Sequence, residues 1–407
     1  MPKPNGVHAI ARRTHENQIL AVLREHGALS RGDIALRVGL SRSTLSQITG
    51  DLVERGAIIV IDTDAAGRVG SGRPAELLAL DPASGQFMGV DLGHRRVNVV
   101  VADASHEIIA SGTRRYAESS EWSERITEAF DLIDQLAVET GVHFSAVQAV
   151  GIGVPGWGDR SVADGVGDAF AARLGAAIIV DNNARFAGLA EAMVTRASLL
   201  RDLVYVRLSD GVGGGLIVDG RLVRGSSGFA GELGHVTVVP DGEPCRCGKR
   251  GCVETVASVP AILARCRAEG LEIDSLDDLK AAIAVSHPKV EIILRNAGRA
   301  VGRALGAAAM TLNPTDIVIG GDVVAMAPAL LQQVQSTVAY ELSWRATESP
   351  TVRAADLGDE GGALGAVAAV FHQSPLLAGY PEAAGTLSGT AKEQVMTAYR
   401  QSRGGAA

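Results

Sequence analysis

Apolar residues recur at helical spacing through the first fifty positions. Ile19, Leu20 and Leu23 mark one face of a helix over Asn17–His26, with Gly27 as its stop. Ser30-Arg31-Gly32-Asp33 is a capping signal for a second short helix. Ile34, Ala35 and Val38 are its apolar face, and Gly39 ends it. Ser41 caps a third helix with Leu45, Ile48 and Leu52 on its apolar side. Three short helices, with a Gly39-Leu40-Ser41 turn between the second and third, predict a helix-turn-helix. Two apolar runs follow, Ile58–Ile61 and Glu76–Leu80, and read as strands. Between them Ala66–Pro74 is glycine-rich and basic, which makes the module winged.

From Phe87 the period changes. Phe87–Gly93 is a strand ending in an acid and a glycine. Strands at Val97–Ala102 and Ile108–Ser111 and a helix at Ser123–Glu139 follow. Ala149–Val154 and Ala177–Val180 are buried strands, the second running through Asp181-Asn182-Asn183 into a helix. Leu203–Leu208, a glycine run at 211–215 and a strand pair to Val223 come next. Ile292–Leu312 is a helix with Gly298, Gly302 and Gly306 at helical spacing, built for close packing. Asp316–Gly321 is a last buried strand with a glycine turn. Strands alternating with helices predict an α/β body with ligand loops at strand ends. The division this gives is a winged module at 1–82, a body at 83–373 and a Gly-, Ala-, Ser- and Thr-rich tail at 374–407.

Charge changes the picture of the first module. The chain carries a net charge of −8, which taken whole argues against a nucleic-acid partner. Residues 1–80, however, hold ten Lys and Arg against eight Asp and Glu, and the remainder holds 28 against 38. Nine of the ten N-terminal cations are Arg, the better phosphate fork. A basic head on an acidic body is the pattern of a DNA-binding module on a sensor or enzyme. The third helix would enter the major groove with Ser41, Arg42, Ser43, Thr44, Ser46 and Gln47. Arg42 and Gln47 can make bidentate contacts to base edges. Arg68 and Arg73 in the wing would reach phosphates or a minor groove. The competing reading is a generic three-helix interaction module.

No run approaches the ~18 apolar residues of a membrane span, and no signal peptide opens the chain. A reducing cytoplasm is therefore expected, and disulfides are not. Three of the four cysteines fall within eight positions, in Cys245-Arg246-Cys247-Gly248-Lys249-Arg250-Gly251-Cys252. His235 lies just upstream. These four are the ligand types that zinc takes in closed tetrahedral sites, which makes one structural zinc per chain the expected cofactor. The ligands lie between two acids, Glu232 and Glu254, and a metal here would fix both relative to His235. Cys266 sits alone in an apolar helical pattern and reads as a small core residue.

Gly231-Glu232-Leu233-Gly234-His235 followed by this cysteine loop and Glu254 resembles the ROK family (repressors, open reading frames, kinases). The resemblance extends from the winged module to about residue 372. It implies a two-lobed, actin-like ATPase fold of ribonuclease-H type. The family's kinases phosphorylate sugars with ATP; its regulators add an N-terminal winged helix-turn-helix and answer to a sugar or sugar derivative. The resemblance implies that Asn182, Glu232, His235 and Glu254 face the sugar. The kinase pattern is broken at two places. The first phosphate loop, Asp-x-Gly-Gly-Thr-Lys in the kinases, is Asp91-Leu92-Gly93-His94-Arg95-Arg96 here. The catalytic Asp of Asn-Asp-Ala-Asn is Asn183, and an amide cannot accept the sugar hydroxyl's proton. Asp181 is two residues out of register. The segment between Gly156 and Ile178 is also shorter than the family pattern. The expected function is a sugar-responsive transcriptional repressor that binds an inverted-repeat operator as a homodimer or homotetramer. Two alternatives stand beside it: an active glucokinase-like sugar kinase that also binds DNA, and a regulator controlled by a protein partner without sugar.

Overall fold

The computed structural model describes residues 15–373 except 17, 21, 24–25, 55–57, 65–74, 81–85, 104–106, 141–146, 157–159, 195–201 and 345–348. A helix within 15–26 (α1) buries Ile19, Leu20 and Leu23, as its spacing predicts. A two-residue strand, Leu29–Ser30 (β1), leads into helix Arg31–Val38 (α2). The Ser30 side chain accepts from the Asp33 amide at its start, and Gly39 closes it at φ 73°. Helix Arg42–Glu54 (α3) follows, with the Thr44 amide donating to Ser41 Oγ at 3.2 Å. Strands Ile58–Asp64 (β2) and Ala75–Leu80 (β3) pair antiparallel, and β1 adds to the free edge of β3. Leu45, Ile48, Leu52, Ile58 and Leu78 are buried in one core with α1 and α2. This is the predicted winged helix-turn-helix. Arg68 and Arg73 of the wing lie outside the described residues, as does the tail at 374–407.

The body has two lobes of identical strand order. In the first, strands Gln86–Leu92 (β4), Arg96–Asp103 (β5) and Ile108–Arg115 (β6) are antiparallel neighbours. Helix Trp122–Thr140 (α4) covers them. Strand Val147–Val154 (β7), helix Arg160–Leu174 (α5) and strand Ala177–Asn182 (β8) follow, with β7 parallel to β4 and β8 parallel to β7. The sheet order is β6-β5-β4-β7-β8. Helix Asn183–Val194 (α6) then leads to the second lobe.

There strands Leu203–Leu208 (β9), Val212–Val218 (β10) and Arg221–Leu222 (β11) again run antiparallel. Helices Glu254–Ala257 (α7), Val259–Ala268 (α8), Leu276–Ala284 (α9) and Pro288–Leu312 (α10) intervene. Strand Asp316–Gly320 (β12) pairs parallel with β9. Helices Asp322–Met326 (α11) and Pro328–Glu341 (α12) lead to strand Thr351–Ala354 (β13), parallel to β12. The order is β11-β10-β9-β12-β13. Counted within each lobe, both sheets read 3-2-1-4-5 with the first three strands antiparallel, the ribonuclease-H-type plan stated twice. The duplication is in the topology; no sequence repeat announces it.

Each lobe has its own core, on β4, β5 and β7 under α4 and α5 in the first, and on β9 and β12 under α8–α12 in the second. Helix Gly361–Gln373 (α13) returns to the first lobe, where Phe371 packs on Phe87 at 4.5 Å between ring centroids. α6 lies on α13 and also on β9 and β10, so this helix pair joins the lobes. The predicted close packing of α10 is on α12: a Cβ at Gly302 would meet the Thr337 Cβ at 2.5 Å. The glycine run at 211–215 differs from the loop that its composition suggests. Gly213, Gly214 and Gly215 are paired residues of β10. The run admits close backbone approach, since a Cβ at Gly214 would lie 2.4 Å from the Gly231 carbonyl oxygen.

Candidate functional site

The predicted metal ligands converge. A single helical turn, Leu233–His235, presents His235, and isolated bridges Thr237–Cys252 and Pro244–Arg250 fold the cysteine loop back on it. Gly251 sits at φ 63°, and a Cβ there would fall 1.5 Å from the Val239 carbonyl oxygen, so no other residue fits the turn. Donor atoms of His235, Cys245, Cys247 and Cys252 all lie within 4.8 Å of one another. Cys245 Sγ is 3.5 Å from His235 Nδ1, and Cys247 Sγ is 3.6 Å from Cys252 Sγ. Ligands about 2.0–2.3 Å from a tetrahedral ion are separated by about 3.3–3.8 Å, so the four residues can hold a metal. Cys266 is buried in the core of the second lobe, away from this set, as its pattern suggests.

Beside the loop, between the lobes, lies a cavity of about 550 Å³. Asn182, Glu232 and His235 line it, together with Asp91, Asn183 and Arg207. Glu254 is not part of its wall. Arg246, which is, takes both Glu254 oxygens: Nε to Oε1 at 2.8 Å and Nη2 to Oε2 at 3.0 Å. The Val212 amide donates to the same Oε2 at 3.1 Å.

Glu232 is also engaged. Arg185, fully buried on α6, donates Nη2 to Glu232 Oε1 at 2.9 Å and Nη1 to Asp181 Oδ1 at 3.2 Å. Arg224 Nε completes the chain on Asp181 Oδ2 at 2.7 Å. Asp181 is thereby buried between two guanidiniums. Asn182 caps α6, its Oδ1 accepting from the Ala184 amide at 2.8 Å. Asn183 Nδ2 donates to Asp91 Oδ1 at 3.1 Å. Burial raises the Asp91 carboxyl above the usual carboxylate range, opposed by Arg207 and by the Asn183 amide.

The altered loop at Gly93–Arg96 is firmly held. Tyr116 Oη reaches the carbonyls of Gly93 and Arg96 at 2.7 and 2.8 Å. Arg125 lies over the rings of Tyr116 and Trp122 and donates to the Glu118 and Ser120 carbonyls at 2.9 Å. From this turn Arg95 reaches across to the second lobe, pairing with Asp210 at 3.5 Å as well as with Glu118. Arg96 pairs with Asp359. On α3 the predicted DNA-reading residues Ser41, Arg42, Ser43, Ser46 and Gln47 are exposed and Thr44 is half-buried, opposite the apolar face.

Comparison with known proteins decides the family. Residues 87–373 match the ROK family, and residues 12–59 match a winged helix-turn-helix DNA-binding family. The chain belongs to the ROK family. A xylose repressor of Bacillus subtilis (strain 168) is 24% identical over 371 residues, 87% of this chain and 94% of that protein. A glucokinase of Halalkalibacterium halodurans is 30% identical over 314 residues, 69% of this chain and 93% of that protein. The crystal structure of a ROK family transcriptional regulator, a homologue of the E. coli MLC protein, aligns at TM-score 0.72 and 20% identity. That alignment covers 91% of this chain and 99% of the other, and supports the fold, winged domain included.

Within this ROK body, sequence reading missed the arginines that engage Glu232 and Glu254. Arg185 carried a signal, since it lies four residues after Asp181 at the start of a helix, where such pairs face each other. Arg246 carried none beyond its place between Cys245 and Cys247.

Proposed function

We propose that the chain is a sugar-responsive transcriptional repressor with a kinase-like sensor that transfers no phosphate. The observation that carries this reading is Asn183. An amide stands where a sugar kinase needs a carboxylate base, and it is spent on Asp91. General-base loss alone costs about 10²–10⁴-fold, and the loop at 93–96 offers His94, Arg95 and Arg96 where the kinases have Gly, Thr and Lys. The xylose repressor's correspondence over nearly its whole length supports the regulatory role.

In this reading residues 1–82 are the operator-binding head, 83–373 the sensor and 374–407 a tail. Ser41, Arg42, Ser43, Thr44, Ser46 and Gln47 read base edges, with Arg68 and Arg73 on the backbone. One structural zinc, held by His235, Cys245, Cys247 and Cys252, sets the loop that carries Arg246 and leads to Glu254. Asn182, Glu232 and His235 meet the effector directly. Glu254 acts through Arg246. Two copies of the chain bind an inverted repeat, each sharing its sensor's two-lobe equilibrium with its head. An effector shifts that equilibrium only by its differential affinity, ordinarily about 1–3 kcal/mol. The test is a binding assay on DNA from upstream of the chain's own gene, with and without sugars, beside an ATP phosphorylation assay on hexoses and pentoses. Specific DNA binding that an effector weakens about 5–150-fold, without phosphorylation, is the expected result. Robust sugar phosphorylation, or indifference to that DNA at low salt, overturns it.

A further inference from the structure

We propose that the effector is an anionic sugar derivative, its phosphate or carboxylate held by the Nη1 edge of Arg246. This rests on the sensor reading above and narrows its ligand class. Both sugar-facing acids already hold guanidiniums: Glu232 is paired with buried Arg185 and Glu254 with Arg246. A neutral polyol entering the cleft must compete with these charge-assisted bonds, which are about twice as strong as the neutral ones it can offer. An anion meets the opposite situation.

Glu254 grips Arg246 by Nε and Nη2, and the Val212 amide and the start of α7 hold Glu254 in turn. Among the described residues Nη1 has no hydrogen-bond partner. It faces Gly156 of the first lobe, whose Cβ, if present, would be 3.9 Å away. Nη2 lies 3.4 Å from the Cβ position of Gly211 in the second lobe. The guanidinium therefore spans the mouth between the lobes with a glycine on each side; at Gly211 Glu254 Oε2 already lies 2.9 Å from the Cβ position, so a ligand would approach from the Gly156 side. The guanidinium is fixed before the ligand arrives, so little entropy is lost on binding.

The cavity's wall is itself mixed in charge. Five lining residues are Arg or Lys (Arg95, Arg96, Arg207, Arg246 and Lys249) against four carboxylates. With the side chains that pair with lining residues from outside the wall, Arg185 against Glu254, Glu118 and Asp359, the count is six cations to seven carboxylates, so it is the free guanidinium edge and not the net charge that selects an anion. Arg207 lies 4.0 Å from Asp91 and 3.9 Å from Asp359. An anion on Arg246 beside His94 and Arg95 would touch both lobes at once, which is what a ligand must do to favour one lobe arrangement.

The test uses matched probes on the full chain by calorimetry: glucose against glucose 6-phosphate, gluconate and glucuronate, and N-acetylglucosamine against its 6-phosphate, with inorganic phosphate alone as a further arm. At least one anionic probe should bind about tenfold or more tighter than its neutral counterpart, equivalent to about 1.4 kcal/mol. Which anion wins separates phosphate from carboxylate. Arg246→Gln should abolish the preference. Arg246→Lys, which keeps the charge without the fork, should retain part of it, and Glu254→Gln, which loosens the guanidinium, should weaken anion binding. Thermal melting of each variant checks the fold; if a variant melts early, the wild-type comparison decides alone. Equal or tighter binding of the neutral sugars, no binding of any anionic probe at millimolar concentration, or an unchanged preference in a folded Arg246→Gln chain overturns the proposal. Operator binding of the ligand-free chain is measured in parallel: its absence sinks the regulator reading, whereas operator binding released only by neutral sugars sinks this inference and leaves the regulator standing.

Discussion

Asn183 donates its amide to Asp91 across 3.1 Å, joining the first turn of α6 to the end of β4. The bond uses the amide as a donor, which a carboxylate could not be. Asn183→Asp would set a second carboxylate against a buried one whose proton affinity is already raised by desolvation. Like charges at that distance cannot both ionise, so one carboxyl of the pair titrates above its unfolded value. The variant's loss of stability relative to the wild type is then smallest in acid and grows as pH rises through that folded value, to about 1–3 kcal/mol at neutrality. Denaturation of variant and wild type at acid and neutral pH measures this. The same substitution should not create a kinase, because His94, Arg95 and Arg96 stay in the loop. Sugar phosphorylation by Asn183→Asp would show that the single carboxylate was all that was missing.

The metal set makes a separate prediction. Purified protein should contain one zinc per chain, and a strong chelator should lower the melting temperature. Four protein ligands leave no position for water, so the ion's contribution is to folding of the loop. Cys247→Ser should cost more than the roughly 1 kcal/mol of an ordinary substitution and should weaken effector binding too, because Arg246 lies between two of the ligands. Zinc-free protein with all its cysteines open to a thiol reagent contradicts this.

How much of this was legible in the sequence depends on the length and chemistry of each signal. α3 and β12 are regular enough for their periods to mark them. α5 escaped because it is rich in Gly and Ala, with only Val166 and Phe170 deeply buried on it. β1 is two residues long, too short to alternate. The metal set was readable because cysteine is rare in this chain and its spacing is tight. The engagement of the two acids was not. Arg185 and Glu232 are 47 positions apart, and the approach of such residues is set by how two lobes fold together. Arg246 is near Glu254 in sequence, but whether an exposed arginine turns inward is decided by the cleft.

Arg353 on β13 holds three carboxylates: Glu191 at 3.1 Å, Asp356 at 3.1 Å and Asp316 at 3.6 Å. Glu191 is buried, and burial pushes its carboxyl up to about 7 despite the Leu357 amide and Arg353. A carboxyl raised in the folded state favours folding most below its unfolded value, and that advantage is lost as pH rises through about 7. Arg353→Leu removes the cation that tolerates the charged form. The loss should be about 3–5 kcal/mol above neutrality, as for other broken buried pairs, and clearly smaller near pH 5 to 6, where Glu191 is protonated. Urea unfolding across that range reads the slope; a pH-independent loss would mean that Glu191 does not titrate there.

The head makes the last prediction. Arg42 and Gln47 are exposed on the face of α3 opposite Leu45, Ile48 and Leu52, which anchor the helix in the module's core. An exposed arginine and glutamine on such a helix have the reach and hydrogen-bonding groups to read guanine and adenine edges. If they do, Arg42→Ala and Gln47→Ala each cost about 1–3 kcal/mol on the preferred operator and relax specificity at single base positions. Arg68→Ala and Arg73→Ala should behave differently, weakening all sequences alike and reducing the salt slope, because phosphate contacts release counterions whatever the base. If two heads bind as a two-fold pair, a geometric condition is added: half-sites should be centred about 34–36 Å apart or a multiple of that. Titrations on operators with altered half-site spacing and at several salt concentrations separate the two classes of residue. Uniform losses at all four positions would reduce the head to an electrostatic clamp without base readout.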